Sequence, residues 1–160
     1  RLLSRGLGDV YKRQHLYQKS DLPIVDLDEY LSSLIEKIKS TSIPANQQIA
    51  VKGTFIPLNC DIKIAMPLGL IINEVITNSI KHAFSDRTKG TITVEVNEID
   101  DEYCGLVIED DGTGTAVDLT ARRTDSLGLN LIHLLVKQVK GEISITSDQG
   151  VKYFIKFKKN

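Results

Sequence analysis

The chain has 160 residues, 41% of them hydrophobic, which is enough for one buried core and gives no reason to expect a second one. Its formal net charge is −1 at pH 7, so no global electrostatic field favours binding to nucleic acid or to an anionic membrane surface. No apolar run is long enough for a transmembrane helix, no signal peptide is visible and the two cysteines lack metal-ligand spacing, so we expect a cytoplasmic domain without membrane contact.

Residues 1–14 differ in character from the rest of the chain. They resemble translated sequencing-adaptor read-through, so we interpret them as a non-native segment and exclude them from fold reasoning.

The first predicted elements are a helix and a strand. Asp26 is a candidate N-cap with Glu29 three residues later, and the apolar residues that follow recur at helical spacing, at positions 27, 30, 31, 34, 35 and 38. Residues 40–47 are predicted to form a loop, and residues 49–55 alternate as a short strand does.

A second helix is predicted to begin near Asp61 and to carry Glu74 and Asn78. Pro67 either marks the first turn of this helix or kinks a longer one. Two strands, 91–99 and 103–109, follow and are predicted to pair through a turn.

In the last third of the chain the sequence pattern predicts a loop, a helix and a hairpin. Residues 115–125 are polar and have the composition of a mobile loop. Ser126 begins a helix that has too many apolar residues for one stripe, so we expect it to be largely buried, with Gly141 as its stop. A hairpin of strands 142–146 and 152–157 closes the chain. This order of elements predicts an α+β sandwich, one sheet backed by a layer of helices.

Two polar motifs carry the chemistry of the predicted site. Glu74, Asn78 and Lys81 are spaced i, i+4 and i+7, so one helix would direct a carboxylate, an amide and an ammonium to one region, as a magnesium-phosphate site requires. Asp110 follows an apolar strand and precedes two glycines, where it can accept a hydrogen bond from an adenine amine while the backbone lies close to the ring. Each motif alone is common in solvated helices and turns; their combination is much less easily produced by chance.

The helix that begins after Ser126 supplies a third part. Its first backbone N–H groups and the positive end of its dipole would stabilise a polyphosphate at residues 127–129.

Together these residues resemble a known family. Residues 15–158 are similar to the end of a bacterial two-component sensor histidine kinase, covering its Bergerat-type (GHKL) ATP-binding domain. The segments 67–74 and 81–84 resemble the subgroup whose phosphoacceptor helix carries an LHHRVKNN-like motif. The resemblance implies a two-layer α/β sandwich whose mixed, mainly antiparallel sheet is backed by helices, and it implies ATP and Mg²⁺ as cofactors.

The resemblance also implies roles for individual residues. In the helical motif, Glu74 would be the general base, Asn78 the magnesium ligand, and Lys81 and His82 phosphate or ribose contacts. In the remaining motifs the implied nucleotide-binding residues are Asp110 for the adenine amine, then Gly112, Gly114, Leu127, Gly128 and Leu129. Residues 115–125 would form a short lid over the nucleotide.

Two departures from the family pattern matter. The segment 127–129 has one glycine where many relatives have two or three. The phosphoacceptor helix would lie upstream of His15, so His15 is not the expected acceptor. We therefore divide the chain into the adaptor-like residues 1–14, residues 15–40 as the end of the dimerisation region plus the first helix, and residues 41–160 as the catalytic domain.

The function implied is transfer of the γ-phosphoryl group of Mg-ATP to a histidine on that dimerisation helix, in a homodimer that signals to a response regulator. Two alternatives stay open. One is an anti-sigma-factor-type serine kinase of the same fold, and the other is a nucleotide-binding module without catalysis.

Overall fold

A computed structural model describes residues 22–115 and 126–160. The expectations for residues 1–21, including the adaptor-like segment and His15, and those for residues 116–125 of the lid lie outside the described residues. The described helices are α1 (Leu27–Ser42), α2 (Ile62–Asn78), which continues into a π-helical turn (Ser79–Ala83), and α3 (Leu127–Gln138). The strands are β1 (Ile24–Asp26), β2 (Gln48–Phe55), β3 (Asn59–Asp61), β4 (Lys89–Glu98), β5 (Tyr103–Asp110), β6 (Glu142–Asp148) and β7 (Gly150–Lys158). Within these ranges no helix is both long and apolar enough to cross a bilayer.

The main sheet has five strands in the order β2-β4-β5-β7-β6. Strands β2 and β4 pair in parallel, and the remaining neighbours are antiparallel. Strands β1 and β3 form a separate antiparallel pair beside the starts of α1 and α2. The predicted α+β architecture, a mixed and mainly antiparallel sheet backed by helices, is therefore confirmed.

The core lies between one face of the sheet and the three helices. Alternate residues of the central strands point into it, and their neighbours face away, as the period of two in a β-strand requires. The largest fully buried side chains are those of Phe84, Phe157, Leu27, Leu31, Ile38, Leu68, Ile71, Ile72, Ile76, Ile92, Leu106 and Ile108. This packing holds α2 against the middle of the sheet, where the candidate site lies.

The first two helices begin where local side chains cap them. The Asp26 carboxylate accepts a hydrogen bond from the Glu29 N–H at 3.1 Å, and Asp61 accepts one from the Lys63 N–H at 2.8 Å. Both starts match the prediction, because an N-cap depends on neighbours in sequence alone. Pro67 lies inside α2 and not in its first turn, so the alternative of a longer helix is the correct one.

Helix α3 differs from the prediction that it is largely buried. Leu129, Ile132, Leu135 and Val136 are buried, but Leu127, Leu131 and Leu134 are 85%, 39% and 64% exposed. The excess of apolar residues thus forms a second stripe at positions i, i+4 and i+7 on the outer side of the helix.

The end of α3 also differs in detail. Lys140, with φ of 53°, takes the left-handed position that Gly141 was expected to take. Its N–H donates to the Lys137 carbonyl, and the N–H of Gly141 donates to the Val136 carbonyl, which completes a Schellman motif. A Cβ on Gly141 would lie 2.6 Å from the Lys156 carbonyl oxygen, so the glycine serves packing against β7.

Candidate nucleotide-binding site

Asp110 is a buried carboxylate at the end of β5, 4% exposed. Its Oδ1 atom accepts hydrogen bonds from the backbone N–H groups of Gly112, at 3.0 Å, and Val151, at 3.3 Å. Its Oδ2 atom accepts one from the Ser79 hydroxyl at 2.8 Å. The carboxylate is therefore fixed by donors from three separate parts of the chain.

The neighbouring carboxylate of Asp111 makes a different set of hydrogen bonds. It is exposed, and its Oδ1 atom accepts from the Thr91 N–H at 2.8 Å and from the Arg87 guanidinium at 3.4 Å. Asp111 therefore connects the loop after β5 to β4 through hydrogen bonds. Of the two adjacent aspartates, Asp110 is the one that is buried in the candidate site.

The glycines that follow Asp110 allow close approach to other elements. A Cβ on Gly112 would lie 2.6 Å from the Ala83 carbonyl oxygen, to which the Thr113 N–H also donates. Gly114 has φ of 72° and lies against the turn between β6 and β7. The loop after β5 is thereby held between the π-helical turn and this hairpin.

Glu74 and Asn78 face the first turn of α3. An ideal Cβ on Gly128 would lie 2.1 Å from the Glu74 Oε1 atom and 3.3 Å from the Asn78 Nδ2 atom. Both side chains are half-buried, and in the described parts of the chain neither makes a hydrogen bond. The structure thus brings together three residues, Glu74, Asn78 and Gly128, that the sequence analysis drew from two motifs.

Lys81 and His82 do not continue the helical face that carries Glu74 and Asn78. The helix widens into the π-helical turn after Asn78, which turns Ser79, Ile80 and Ala83 inward and leaves Lys81 and His82 exposed. Lys81 therefore lies in the π-helical turn and not in the α-helical part that carries Glu74 and Asn78. Wide turns of this kind occur frequently at functional sites.

The first turn of α3 is capped by a side chain. The Ser126 hydroxyl oxygen accepts a hydrogen bond from the Leu129 N–H at 3.4 Å. Leu129 is buried while Leu127 is exposed, so the two leucines flanking Gly128 have opposite surroundings. Of the lid expected at residues 115–125, Thr115 is described, and its N–H donates to the Ser147 hydroxyl at 2.8 Å; residues 116–125 lie outside the described part of the chain.

Sequence reasoning missed three residues of this region. Ser79 and Val151 supply two of the donors to Asp110, and the Tyr153 side chain is buried nearby. Burial raises the pKa of the Tyr153 phenol, and the negative charges of Asp110 and Glu74 raise it further. A serine within an apolar helix end was a visible signal for Ser79, whereas the other two are evident only from the pairing of β5 with β7.

Residues 64–160 match the profile of the family described as histidine kinase-, DNA gyrase B-, and HSP90-like ATPase. Blue-light-activated histidine kinase 2 of Erythrobacter litoralis is 28% identical over 141 residues, a match covering 83% of this chain and 40% of that kinase. Serine-protein kinase RsbW of Listeria innocua is 34% identical over 100 residues, covering 52% of this chain and 59% of that protein.

A solved histidine kinase domain is also similar to this chain. The histidine kinase domain of the Erythrobacter litoralis EL346 blue-light activated histidine kinase has a TM-score of 0.75 and 26% identity, covering 83% of this chain and 61% of that one. The chain thus spans less than two thirds of each of these relatives.

Proposed function

Because the chain belongs to the histidine kinase-, DNA gyrase B- and HSP90-like ATPase family, we propose that it is the ATP-binding catalytic domain of a sensor histidine kinase. In this proposal residues 41–160 bind Mg-ATP, and the γ-phosphoryl group passes to a histidine on a dimerisation helix. Residues 15–40 are the end of the dimerisation region and the first helix. The observation that carries the proposal is the meeting of the fixed Asp110 carboxylate, the α2 side chains and the α3 first turn in one region.

Asp110 supports adenine recognition. Within the described residues three donors hydrogen-bond to its carboxylate, and an ionised carboxylate can accept one more, such as the exocyclic amine of adenine. Gly112 and Gly114 allow the loop after β5 to lie close to neighbouring backbone, and backbone beside the Asp110 carboxylate would suit a flat ring.

The α2 side chains suit the phosphate end of the nucleotide. Among the described residues the Asn78 amide oxygen makes no hydrogen bond, and its Nδ2 atom lies against Gly128, where an added Cβ would be 3.3 Å away. Magnesium prefers oxygen ligands and keeps several waters, so this amide and phosphate oxygens fit it. When bound, the ion would neutralise phosphate charge.

Glu74, Lys81 and His82 complete the proposed set. Glu74 lies one turn before Asn78 and would accept a proton from, or orient, the attacking imidazole. Lys81 and His82, both exposed in the π-helical turn, would contact phosphate or ribose. The buried Leu129 anchors the first turn of α3, whose N–H groups at Leu127 and Gly128 would contact the phosphates.

The acceptor histidine belongs to another segment in this proposal. His133 lies in α3, and its Nε2 atom is buried without a hydrogen-bond partner in the described structure. The partners are the dimerisation helix, the second subunit of a homodimer and a response regulator, all in the cytoplasm. The exposed stripe of Leu127, Leu131 and Leu134 supports docking of an apolar helix there.

The test uses the 160-residue chain and labelled ATP. We expect nucleotide binding without phosphorylation of the chain, and slow phosphorylation of dimerisation helices from a related histidine kinase added in trans, because the intramolecular effective concentration is absent. The phosphorylated product should be labile in acid, as phosphohistidine is. Glu74→Gln should suppress this transfer while the affinity for ADP stays within a few-fold of the unmodified chain.

The serine-protein kinase relative supports a second candidate, transfer to a serine of a partner protein. An acid-stable phosphate on a serine in the same assay would favour it. Nucleotide binding with no transfer to either acceptor would instead indicate a binding module without catalysis.

A further inference from the structure

Ser79 and Asp110 form a polar pair inside the apolar core. Their side chains are the buried polar ones within the described residues, 6% and 4% exposed, and their oxygens lie 2.8 Å apart. A buried hydroxyl is costly unless it is hydrogen-bonded, and here its bond goes to the carboxylate assigned to the adenine amine.

The bond from Ser79 limits how many further hydrogen bonds the Asp110 carboxylate can accept. An ionised carboxylate has about four lone-pair positions, two on each oxygen. The N–H groups of Gly112 and Val151 take both positions on Oδ1, and the Ser79 hydroxyl takes one on Oδ2. One acceptor position on Oδ2 is left, and its direction is set by Ser79.

The π-helical turn is what brings Ser79 to this place. The Ser79 N–H is shared between the carbonyls of Val75 and Ile76, and the turn that follows buries Ser79 next to Ile80. Because β5 ends at Asp110 directly opposite, the carboxylate is held from the helix layer as well as from the sheet.

We propose that Ser79 is a positioning residue that makes the site selective for 6-aminopurines over 6-oxopurines, acting through Asp110. The inference rests on the proposed function, since it concerns the same nucleotide. With Ser79 in place, the remaining Oδ2 position meets an amine favourably and repels the oxygen of a 6-oxo group. Without the hydroxyl, the carboxylate can turn toward the N1–H of a 6-oxopurine or toward a bridging water. The affinities for the two kinds of base therefore become more similar.

The experiment measures ADP and IDP affinities by calorimetry for the unmodified chain and four variants. Ser79→Ala removes the hydroxyl and should lower the ratio of ADP to IDP affinity about fivefold or more, through loss of ADP affinity. Ser79→Thr retains a hydroxyl and should keep most of the ratio. Ser79→Cys, close in volume to serine but a weak donor, should give an intermediate ratio and serves if the alanine variant does not fold.

Ile80→Val is the matched control, because Ile80 is buried in the same turn, 6% exposed, and its hydrocarbon side chain cannot donate a hydrogen bond to the carboxylate. This substitution should lower the stability of the fold and leave the ratio of ADP to IDP affinity unchanged. An unchanged ratio in the alanine and cysteine variants, or a threonine variant as unselective as alanine, would overturn the role of Ser79 alone. Failure of the unmodified chain to bind ADP would instead remove the proposed function together with the inference.

Discussion

At the residue scale, Asp110 joins the sheet to the helix layer, and its replacement has a measurable consequence. In Asp110→Asn an amide NH₂ must face either the Ser79 hydroxyl or two backbone N–H groups, and the acceptor for the adenine amine is weakened. Loss of one charge-assisted hydrogen bond costs roughly 1.5–3 kcal/mol, so ADP and ATP affinity should fall about ten- to a hundredfold in calorimetry.

The adjacent Asp111 offers the control. Asp111→Asn keeps an acceptor for the Thr91 N–H at an exposed position, so ADP affinity should stay within a few-fold. Equal losses in both variants would show that the loop, and not the Asp110 carboxylate, determines the affinity.

The proposed role of Asn78 as a magnesium ligand can be tested by measuring nucleotide affinity with and without magnesium. Asn78→Ala should weaken Mg-ATP far more than metal-free ADP, because the amide would hold a magnesium ion that neutralises phosphate charge. Titrations with and without magnesium measure this difference. Asn73→Ala, at an exposed position of the same helix, should change neither affinity. Equal losses with and without the metal would point to a damaged helix.

At the element scale, the contact between α2 and α3 depends on Gly128. Alanine favours a helix over glycine by up to about 1 kcal/mol, but a Cβ here would overlap the Glu74 carboxylate. We expect Gly128→Ala to displace Glu74 and to slow phosphoryl transfer about a hundredfold, while ADP affinity changes a few-fold.

A double-mutant cycle separates this clash from helix propensity. In a Glu74→Ala background the overlap is gone, so Gly128→Ala should stabilise the chain against urea, and its effect should differ from that in the unmodified chain. The same effect in both backgrounds would mean that Glu74 and Gly128 do not interact.

The outer stripe of α3 allows a test of partner contact. Leu134 is 64% exposed, so Leu134→Gln should leave ADP affinity and urea stability unchanged. If the dimerisation helix docks there, transfer in trans should slow several-fold. Leu135→Ala, at the buried position beside it, should instead cost roughly 2–5 kcal/mol of stability. Unaltered transfer by Leu134→Gln would place the contact elsewhere.

The elements also show which features can be predicted from sequence. The caps at Asp26 and Asp61 were predictable because they involve residues two or three positions apart. The π-helical turn and the Ser79 bond were not, because the turn buries residues against β5 and its Asp110, which lies 31 positions away. The exposed leucines of α3 were misjudged for a similar reason, since only tertiary packing determines which of two apolar faces is covered.

At the scale of the whole molecule, nucleotide binding should stabilise the fold. The proposed site joins α2, α3, β5 and β7, so unfolding destroys it completely. ADP at about 100 times its dissociation constant should add about 2.7 kcal/mol, or roughly 5–10 °C in Tm, measured by calorimetry. The Asp110→Asn chain at the same ADP concentration should gain much less, whereas an equal gain would indicate binding elsewhere.

The position of β7 in the sheet has a consequence for the order of assembly. This strand follows β6 in the chain but lies between β5 and β6, and its Val151 N–H reaches Asp110 across 41 residues. A nascent chain that has not yet emerged as far as residue 158 cannot close the sheet, and its Asp110 lacks one donor. Contacts so distant in sequence require closure of a long loop and slow folding. Nucleotide-binding competence should therefore appear only after strand β7 has been synthesised and has paired with β5.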